Sequence, residues 1–355
     1  MPSTRRLPKL RLISPRSSNR FPSIRCRSAP DGIPAGIALS PAGISVFPIR
    51  PGQVLCLCPR TGIQYRMDGL PTGDCIAIGP LVTRVLAPNP SPFTFTGTQT
   101  HLVGTTDIAV IDPGPADPAH IDAIMRALAG RKLAAIMITH THNDHSPGSR
   151  PLQALTGAPI IGCAPLALDN LGPRADAAFD ADYAPDQVMA DGDVVAGDGW
   201  TLAAVETPGH TSNHLCFALP EAKALFSGDH VMGWSTTVVA PPDGDMTAYM
   251  ASLAKLQTRD DVVYYPAHGE PITNPAQKVR GFLGHRRQRE AQILRLIGEG
   301  VGAIPDLVER MYVGVDPRLF GAAGGSVLAH LIDLQGRGLV VVEGQVWAIG
   351  SEAQS

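Results

Sequence analysis

Residues 139–145 read Thr-His-Thr-His-Asn-Asp-His and follow directly on Leu133–Ile138, a short apolar run that reads as a buried strand. Four possible metal ligands, His140, His142, Asp144 and His145, thus fall within six positions at a strand end. A rigid strand that fixes the first ligand of a loop preorganises a metal site. Imidazole together with carboxylate suits Zn, and also Fe or Mn. One ion cannot comfortably take all four groups from so short a loop. The spacing therefore points to two divalent ions, each served by part of it.

Three later sites have the same texture. His210 stands in Thr-Pro-Gly-His-Thr after a strand expected at Leu202–Val205. Asp229 stands in Phe-Ser-Gly-Asp-His after Ala224–Ser227, and His268 in Pro-Ala-His-Gly after Val262–Tyr265. His214 and His230 follow ligand positions closely and are candidates to orient a ligand or to protonate a leaving group. Upstream, Val54–Cys58, Gly62–Met67, Thr100–Val103 and Asp107–Ile111 read as strands. Pro118–Leu128 fits an amphipathic helix, with Ile121, Ile124, Met125 and Leu128 on one face and Gly130 to end it. From about Pro275 the texture changes. A long helix at Gln277–Ile297, helices at Ile304–Tyr312 and Ser326–Leu334, and a hairpin from Gly338 to Ile349 follow in the order of a winged helix.

Charge is distributed unevenly. Of 29 Lys and Arg, 8 lie in residues 1–30, which hold none of the 32 Asp and Glu, so the remainder of the chain carries about −11. An acidic body repels polyphosphate unless a local patch reverses the field. Residues 1–30 lack the apolar stretch of a secretory signal and are interrupted by Pro2, Pro8, Pro15 and Pro22. They read as a disordered basic tail, or as the result of a start codon placed too early. Their Arg- and Ser-rich, acid-free composition leaves a mitochondrial-matrix address as the alternative to a cytoplasmic one. Six cysteines without scaffold spacing read as reduced thiols, Cys56 and Cys58 on one face of a strand among them. No apolar stretch approaches the roughly 20 residues of a membrane span.

Taken together, His-x-His-x-Asp-His, Gly-His-Thr, Ser-Gly-Asp and a final His-Gly resemble the metallo-β-lactamase superfamily of αββα hydrolases over about residues 85–275. The resemblance implies one ion held by His140, His142 and His210. It implies a second held by Asp144, His145 and His268, with Asp229 bridging both. Asp112, in Ile-Asp-Pro-Gly, matches the family's aspartate that fixes a liganding imidazole. The stretch Gly97–Gly104, the Phe226–His230 and Tyr265–Pro271 motifs, and the terminal winged helix resemble the β-lactamase-like-protein-2 group. At least one branch of that group cleaves single-stranded RNA. Gln99 and His101 replace the Asn and Tyr expected there, at positions expected near the site mouth. The expected organisation is a tail over 1–30, a catalytic domain over 31–275 and a winged-helix domain over 276–355.

The chemistry that follows is hydrolysis by a hydroxide bridging two ions, with Asp144 as the catalytic residue that orients the nucleophile or takes its proton. An aspartate at 229 argues toward thioesterase, phosphodiesterase and lactonase branches and away from β-lactams. A small ester, thioester or lactone is the expected substrate, with single-stranded RNA the alternative. The candidate walls, Ala87–Gln99, Leu171–Gln187 and Met232–Asp245, hold Phe93, Phe95, Phe179, Tyr183 and Trp234 but only Arg174, with Arg84 just ahead. RNA binding would therefore need Arg286, Arg287 and Arg289 to fold over the mouth. A winged-helix regulator with the metal domain as sensor is a third reading. Against it, residues 272–355 carry nine Lys and Arg beside eight Asp and Glu. Iron-centred oxidation is a fourth reading that the ligand types alone leave open. A C-terminal module that covers the mouth or forms a homodimer contact fits the charge balance best.

Overall fold

Seven strands, β1 (Cys75–Ala77), β2 (Val82–Leu86), β3 (Gln99–Val103), β4 (Asp107–Ile111), β5 (Lys132–Ile138), β6 (Ile160–Gly162) and β7 (Gln187–Val188), pair in chain order to form one sheet. Pairing is antiparallel from β1 to β4 and parallel from β4 to β7. Parallel steps require crossovers, which α1 (Pro118–Leu128) supplies from β4 to β5 and α2 (Ser149–Thr156) from β5 to β6. This is a computed structural model, and it describes residues 71–166, 178–315 and 319–351. The basic tail, the strands expected at Val54–Cys58 and Gly62–Met67, the Cys56/Cys58 pair and Arg174 lie outside those residues.

A second sheet of β8 (Val194–Gly197), β9 (Trp200–Glu206), β10 (Leu215–Leu219), β11 (Ala224–Gly228) and β12 (Val263–Pro266) packs against the first. The alternation of side chains along these strands builds two layers of core at once. Leu215, Phe217, Ala224, Phe226 and Tyr265 face the first sheet and join Ile108, Ile136 and the Ile121/Ile124 face of α1. Cys216, Ala218, Leu225 and Tyr264 face the other way, onto α3 (Met246–Gln257) and α4 (Pro275–Gly298). Helix, sheet, sheet, helix is the resulting αββα order.

Local chemistry sets the helix ends. Asp117 accepts from the His120 N–H at 3.0 Å and Pro118 opens α1. Asn274 caps α4 in the same way, ahead of Pro275. Helix α1 ends at Leu128 as expected, with Gly130 left-handed at φ 77° just beyond it. Ala129 takes the left-handed cap at φ 51°, and its N–H returns to the Arg126 carbonyl.

The C-terminal segment adds α5 (Ile304–Met311), α6 (Phe320–Gly336) and the hairpin β13 (Val340–Glu343) with β14 (Val346–Ile349). Ile293, Leu296 and Ile297 of α4 pack with Leu307, Val327, Leu331 and Trp347 in a third core. The first half of the same helix contributes Val279, Phe282 and Leu283 to the core beneath the second sheet. One helix thus belongs to two cores. Among the described residues, no helix is long and apolar enough to cross a membrane.

Candidate metal centre

Asp112 follows β4 in the left-handed region at φ 48°, a strained conformation for a residue with a side chain. Its carboxylate repays that strain with three hydrogen bonds. Oδ1 accepts from the Thr139 N–H at 2.9 Å, and Oδ2 accepts from the Thr139 hydroxyl at 2.7 Å and from His145 Nδ1 at 3.0 Å. The ends of β4 and β5 are thereby locked together, with one imidazole already oriented.

The other imidazoles are held by the same device. Thr139 donates to Asp112, so its oxygen accepts from His140 Nδ1 at 3.0 Å. His210 Nδ1 donates to the Val238 carbonyl at 2.6 Å, and His268 Nδ1 to the Gly97 carbonyl at 3.2 Å. With Nδ1 protonated in all four rings, every Nε2 lone pair turns inward. His142 presents Nδ1 instead, 3.1 Å from both His140 Nε2 and His210 Nε2. Asp144 Oδ2 lies 3.3 Å from His145 Nε2 and 3.2 Å from His268 Nε2. Asp229 sits between the two groups. Its Oδ2 is 3.6 Å from His210 Nε2 and 3.7 Å from His145 Nε2, and its Oδ1 is 3.3 Å from His268 Nε2.

This donor set fits divalent cations. Ring nitrogens of His140, His142 and His210 converge on one another, and those of His145 and His268 on carboxylate oxygens, contacts that only a positive charge, a proton or a metal cation, makes attractive. His145 Nε2 and Asp229 Oδ1 are buried and make no hydrogen bond among the described residues. In the bare protein, burial disfavours a charged His268, but the Asp229 and Asp144 carboxylates overcome it and push the ring up to about 10. His145 moves the same way, against its burial, under Asp144, Asp229 and Asp112. His140 goes down, through burial and then the neighbouring imidazoles. All seven residues expected as ligands converge here.

Glycine is required at one turn. Gly228 takes φ 49°, and a Cβ there would lie 2.7 Å from His214 Nε2 and 3.0 Å from Thr139 Oγ1. The turn delivers Asp229, whose N–H donates to His214 Nε2 at 3.2 Å, while His214 Nδ1 is paired with Thr207. His214 therefore fastens the turn. His230 packs its ring against Tyr249 at 4.8 Å. Neither ring lines the cavity, so neither is placed to protonate a leaving group.

The cavity in front of the cluster measures about 320 Å³. Phe93, Pro115, Met232 and Val238 supply its apolar wall, and Asn89, Ser91 and Asn143 supply neutral polar groups. No Lys or Arg lines it among the described residues. Several expected wall residues stand elsewhere. Tyr183 is buried and donates to the Cys163 carbonyl, Phe95 stacks on Trp234 at 4.8 Å, and the Phe179 backbone bridges His142. Gln99 and His101 are interior rather than at the mouth. Gln99 accepts from Arg84 and donates to the Gly269 carbonyl, while His101 packs against Phe226 and Tyr265. Burial and the nearby Arg84 charge lower His101 to about 3. Arg286 is buried beneath the Thr237 carbonyl, and Arg289 covers Tyr312, so neither closes over the mouth.

Two further residues, Thr98 and Asn89, support Asp144. The Thr98 hydroxyl donates to Asp144 Oδ2 at 2.9 Å, and Asn89 grips Thr98 through both its N–H and its hydroxyl. Thr98 lies in the Gly97–Gly104 motif, which is the signal that points to it.

An αββα sandwich with a His/Asp cluster at its strand ends defines a metal-binding hydrolase class. Residues 94–268 match the metallo-beta-lactamase superfamily, and residues 303–347 match the beta-lactamase-associated winged helix domain. A beta-lactamase-like protein 2 homolog of Caenorhabditis elegans is 36% identical over 222 residues, 61% of this chain and 71% of that protein. An atrochrysone carboxyl ACP thioesterase of Paecilomyces divaricatus is 37% identical over 227 residues, 63% of this chain and 67% of that one. A beta-lactamase domain protein from Burkholderia ambifaria shares the fold, with a TM-score of 0.67 at 22% identity over 80% of this chain and 96% of that chain. The chain belongs to the metallo-β-lactamase superfamily and carries its associated winged helix.

Proposed function

We propose that this hydrolase is dinuclear and acts on a small ester, thioester or lactone. The observation that carries the reading is the meeting of two donor sets at Asp229. His140, His142 and His210 would hold one ion, Asp144, His145 and His268 the other, and Asp229 would touch both. Zn suits these donors best, with Fe or Mn also accommodated. When bound, such ions supply Lewis acidity and bring the pKa of a water from ~15.7 to near 7.

The chain's own groups then do the positioning. Asp144 accepts a hydrogen bond from the attacking water and orients it, its carboxylate held in place by Thr98. Asp112 keeps His145 turned toward the centre, and Val238 does the same for His210. Phe93, Pro115, Met232 and Val238 bury an acyl group, while Asn89, Ser91 and Asn143 offer uncharged hydrogen bonds to its polar atoms. Within the acyl class, the relative named as an acyl-carrier-protein thioesterase favours a thioester. A cavity without cations disfavours RNA.

The test is a panel of acyl thioesters, lactones, bis-p-nitrophenyl phosphate and single-stranded RNA, given to metal-loaded protein and to Asp144→Asn. Acyl hydrolysis that disappears in the variant is expected. RNA cleavage that depends on Asp144, with no acyl hydrolysis, overturns the reading. Two metal ions per chain are expected in the wild type, with one lost in a His140→Ala/His142→Ala double variant.

A further inference from the structure

Arg286 is a buried cation with no anion beside it among the described residues. Its side chain lies in the second turn beyond Val279 on α4, is 4% exposed, and has no carboxylate within 4.0 Å among the described residues. One guanidinium nitrogen donates to the Thr237 carbonyl, and the group lies 5.1 Å from the centre of the Tyr249 ring. Its Nε makes no hydrogen bond among the described residues. Burying an uncompensated charge destabilises a fold, so its place here calls for another explanation than stability.

Thr237 is where the metal centre's supports meet. Its hydroxyl reaches the Asp229 carbonyl at 2.7 Å and the His230 carbonyl at 3.0 Å. The next residue, Val238, offers the carbonyl that turns His210. Tyr249, which carries the guanidinium on its face, donates to the same His230 carbonyl at 3.1 Å. A second cation of α4, Lys278, donates to the Gly233 carbonyl at 3.2 Å, on the same stretch of chain.

We propose that Arg286 is a positioning residue for the metal centre, fixing the 229–238 loop so that Asp229 and His210 present their ligand atoms together. The proposal rests on the dinuclear reading above. It gives the helix that leads into the winged-helix segment a role in setting metal affinity, through backbone carbonyls alone. The charge serves because a charge-assisted hydrogen bond holds a carbonyl more firmly than a neutral donor does.

The experiment compares full-length wild type with Arg286→Met, Arg286→Lys and Thr237→Val. Each is checked for native far-UV circular dichroism and loaded with Co2+, its visible spectrum is recorded, and the metal is titrated against a chromophoric chelator. Arg286→Met is expected to bind metal about 10- to 100-fold more weakly, the range for losing a group that orients a ligand, with an altered Co2+ spectrum. Arg286→Lys restores most of the affinity, and Thr237→Val reproduces the defect with the cation intact. A folded Arg286→Met with wild-type affinity and spectrum overturns the proposal. If Arg286→Met does not fold, a folded Arg286→Gln with wild-type metal affinity and spectrum overturns it instead. Wild type that fails to bind two Co2+ ions refutes the dinuclear reading itself, an outcome distinct from a variant matching a normal wild type.

Discussion

The hydrogen bond between Thr98 and Asp144, 2.9 Å long, has a fixed direction. Asn89 Nδ2 donates to the Thr98 oxygen at 2.9 Å while Asn89 Oδ1 accepts the Thr98 N–H, so the hydroxyl proton is left for Asp144. A buried hydroxyl whose proton has one destination acts as a permanent donor to that carboxylate.

Replacing it should therefore cost function more than stability. Thr98→Val keeps the shape and removes the donor, and a hydrogen bond to a charged group contributes about 1.5–3 kcal/mol. Turnover and metal retention should both fall by about tenfold or more, and Thr98→Ser should recover them. Wild-type turnover in Thr98→Val would show that Asp144 needs no such support.

Gly228→Ala tests the turn that delivers Asp229. The new Cβ meets His214 Nε2 at 2.7 Å while the backbone stays at φ 49°, and an alanine held there costs about 1–3 kcal/mol. Urea unfolding of the variant should show a lowered midpoint together with reduced metal content. An unchanged midpoint would mean that the turn relaxes freely.

Acid stability should depend on His101. Its pKa is lowered from the usual 6.5 to about 3 by burial and then by Arg84. Between those values the unfolded chain binds a proton that the folded chain refuses, so stability falls as the pH drops from 6.5 toward 3. The slope from this one residue approaches about 1.4 kcal/mol per pH unit. Denaturant midpoints of chelator-treated His101→Gln should decline less steeply over that window than those of wild type. Parallel slopes would remove His101 from the account.

The winged helix should not bind duplex DNA. Arg295 is paired with Glu299, Arg337 with Glu290 and Asp333, and Arg289 is spent on Met311 and Tyr312. A surface that tracks phosphates needs uncompensated cations. Mobility shifts at about 150 mM salt, near the physiological screening range, should show no sequence-specific complex. Tight binding that weakens steeply with salt would restore the regulator reading.

The candidate ligands were legible because their chemistry is concentrated in one place. His140, His142, Asp144 and His145 fall within six positions, and each later candidate follows a strand whose apolar residues mark it. Helix α1 was legible from Pro118 to Leu128, with Gly130 beyond it, for the same local reasons, but the left-handed Ala129 was not, since an alanine at φ 51° follows no composition rule. Thr98 was marked only by the motif around it, and Thr237 and Arg286 are ordinary residue types joined across 49 positions, which no local pattern encodes. Tyr183 was misplaced for a related reason. An aromatic in a loop reads as a wall, yet its hydroxyl found the Cys163 carbonyl and took it inside.

Helix α4, shared between two cores, limits how this protein can be recombined. A junction inside it would leave either Val279, Phe282 and Leu283 or Ile293, Leu296 and Ile297 facing water. Each such side chain contributes about 1.5–3 kcal/mol when buried, so a severed helix strands apolar surface on both products. The winged helix is consequently not an exchangeable cassette. A chimera that grafts it onto another catalytic sandwich must carry the whole helix and supply a host surface shaped to receive its first three turns.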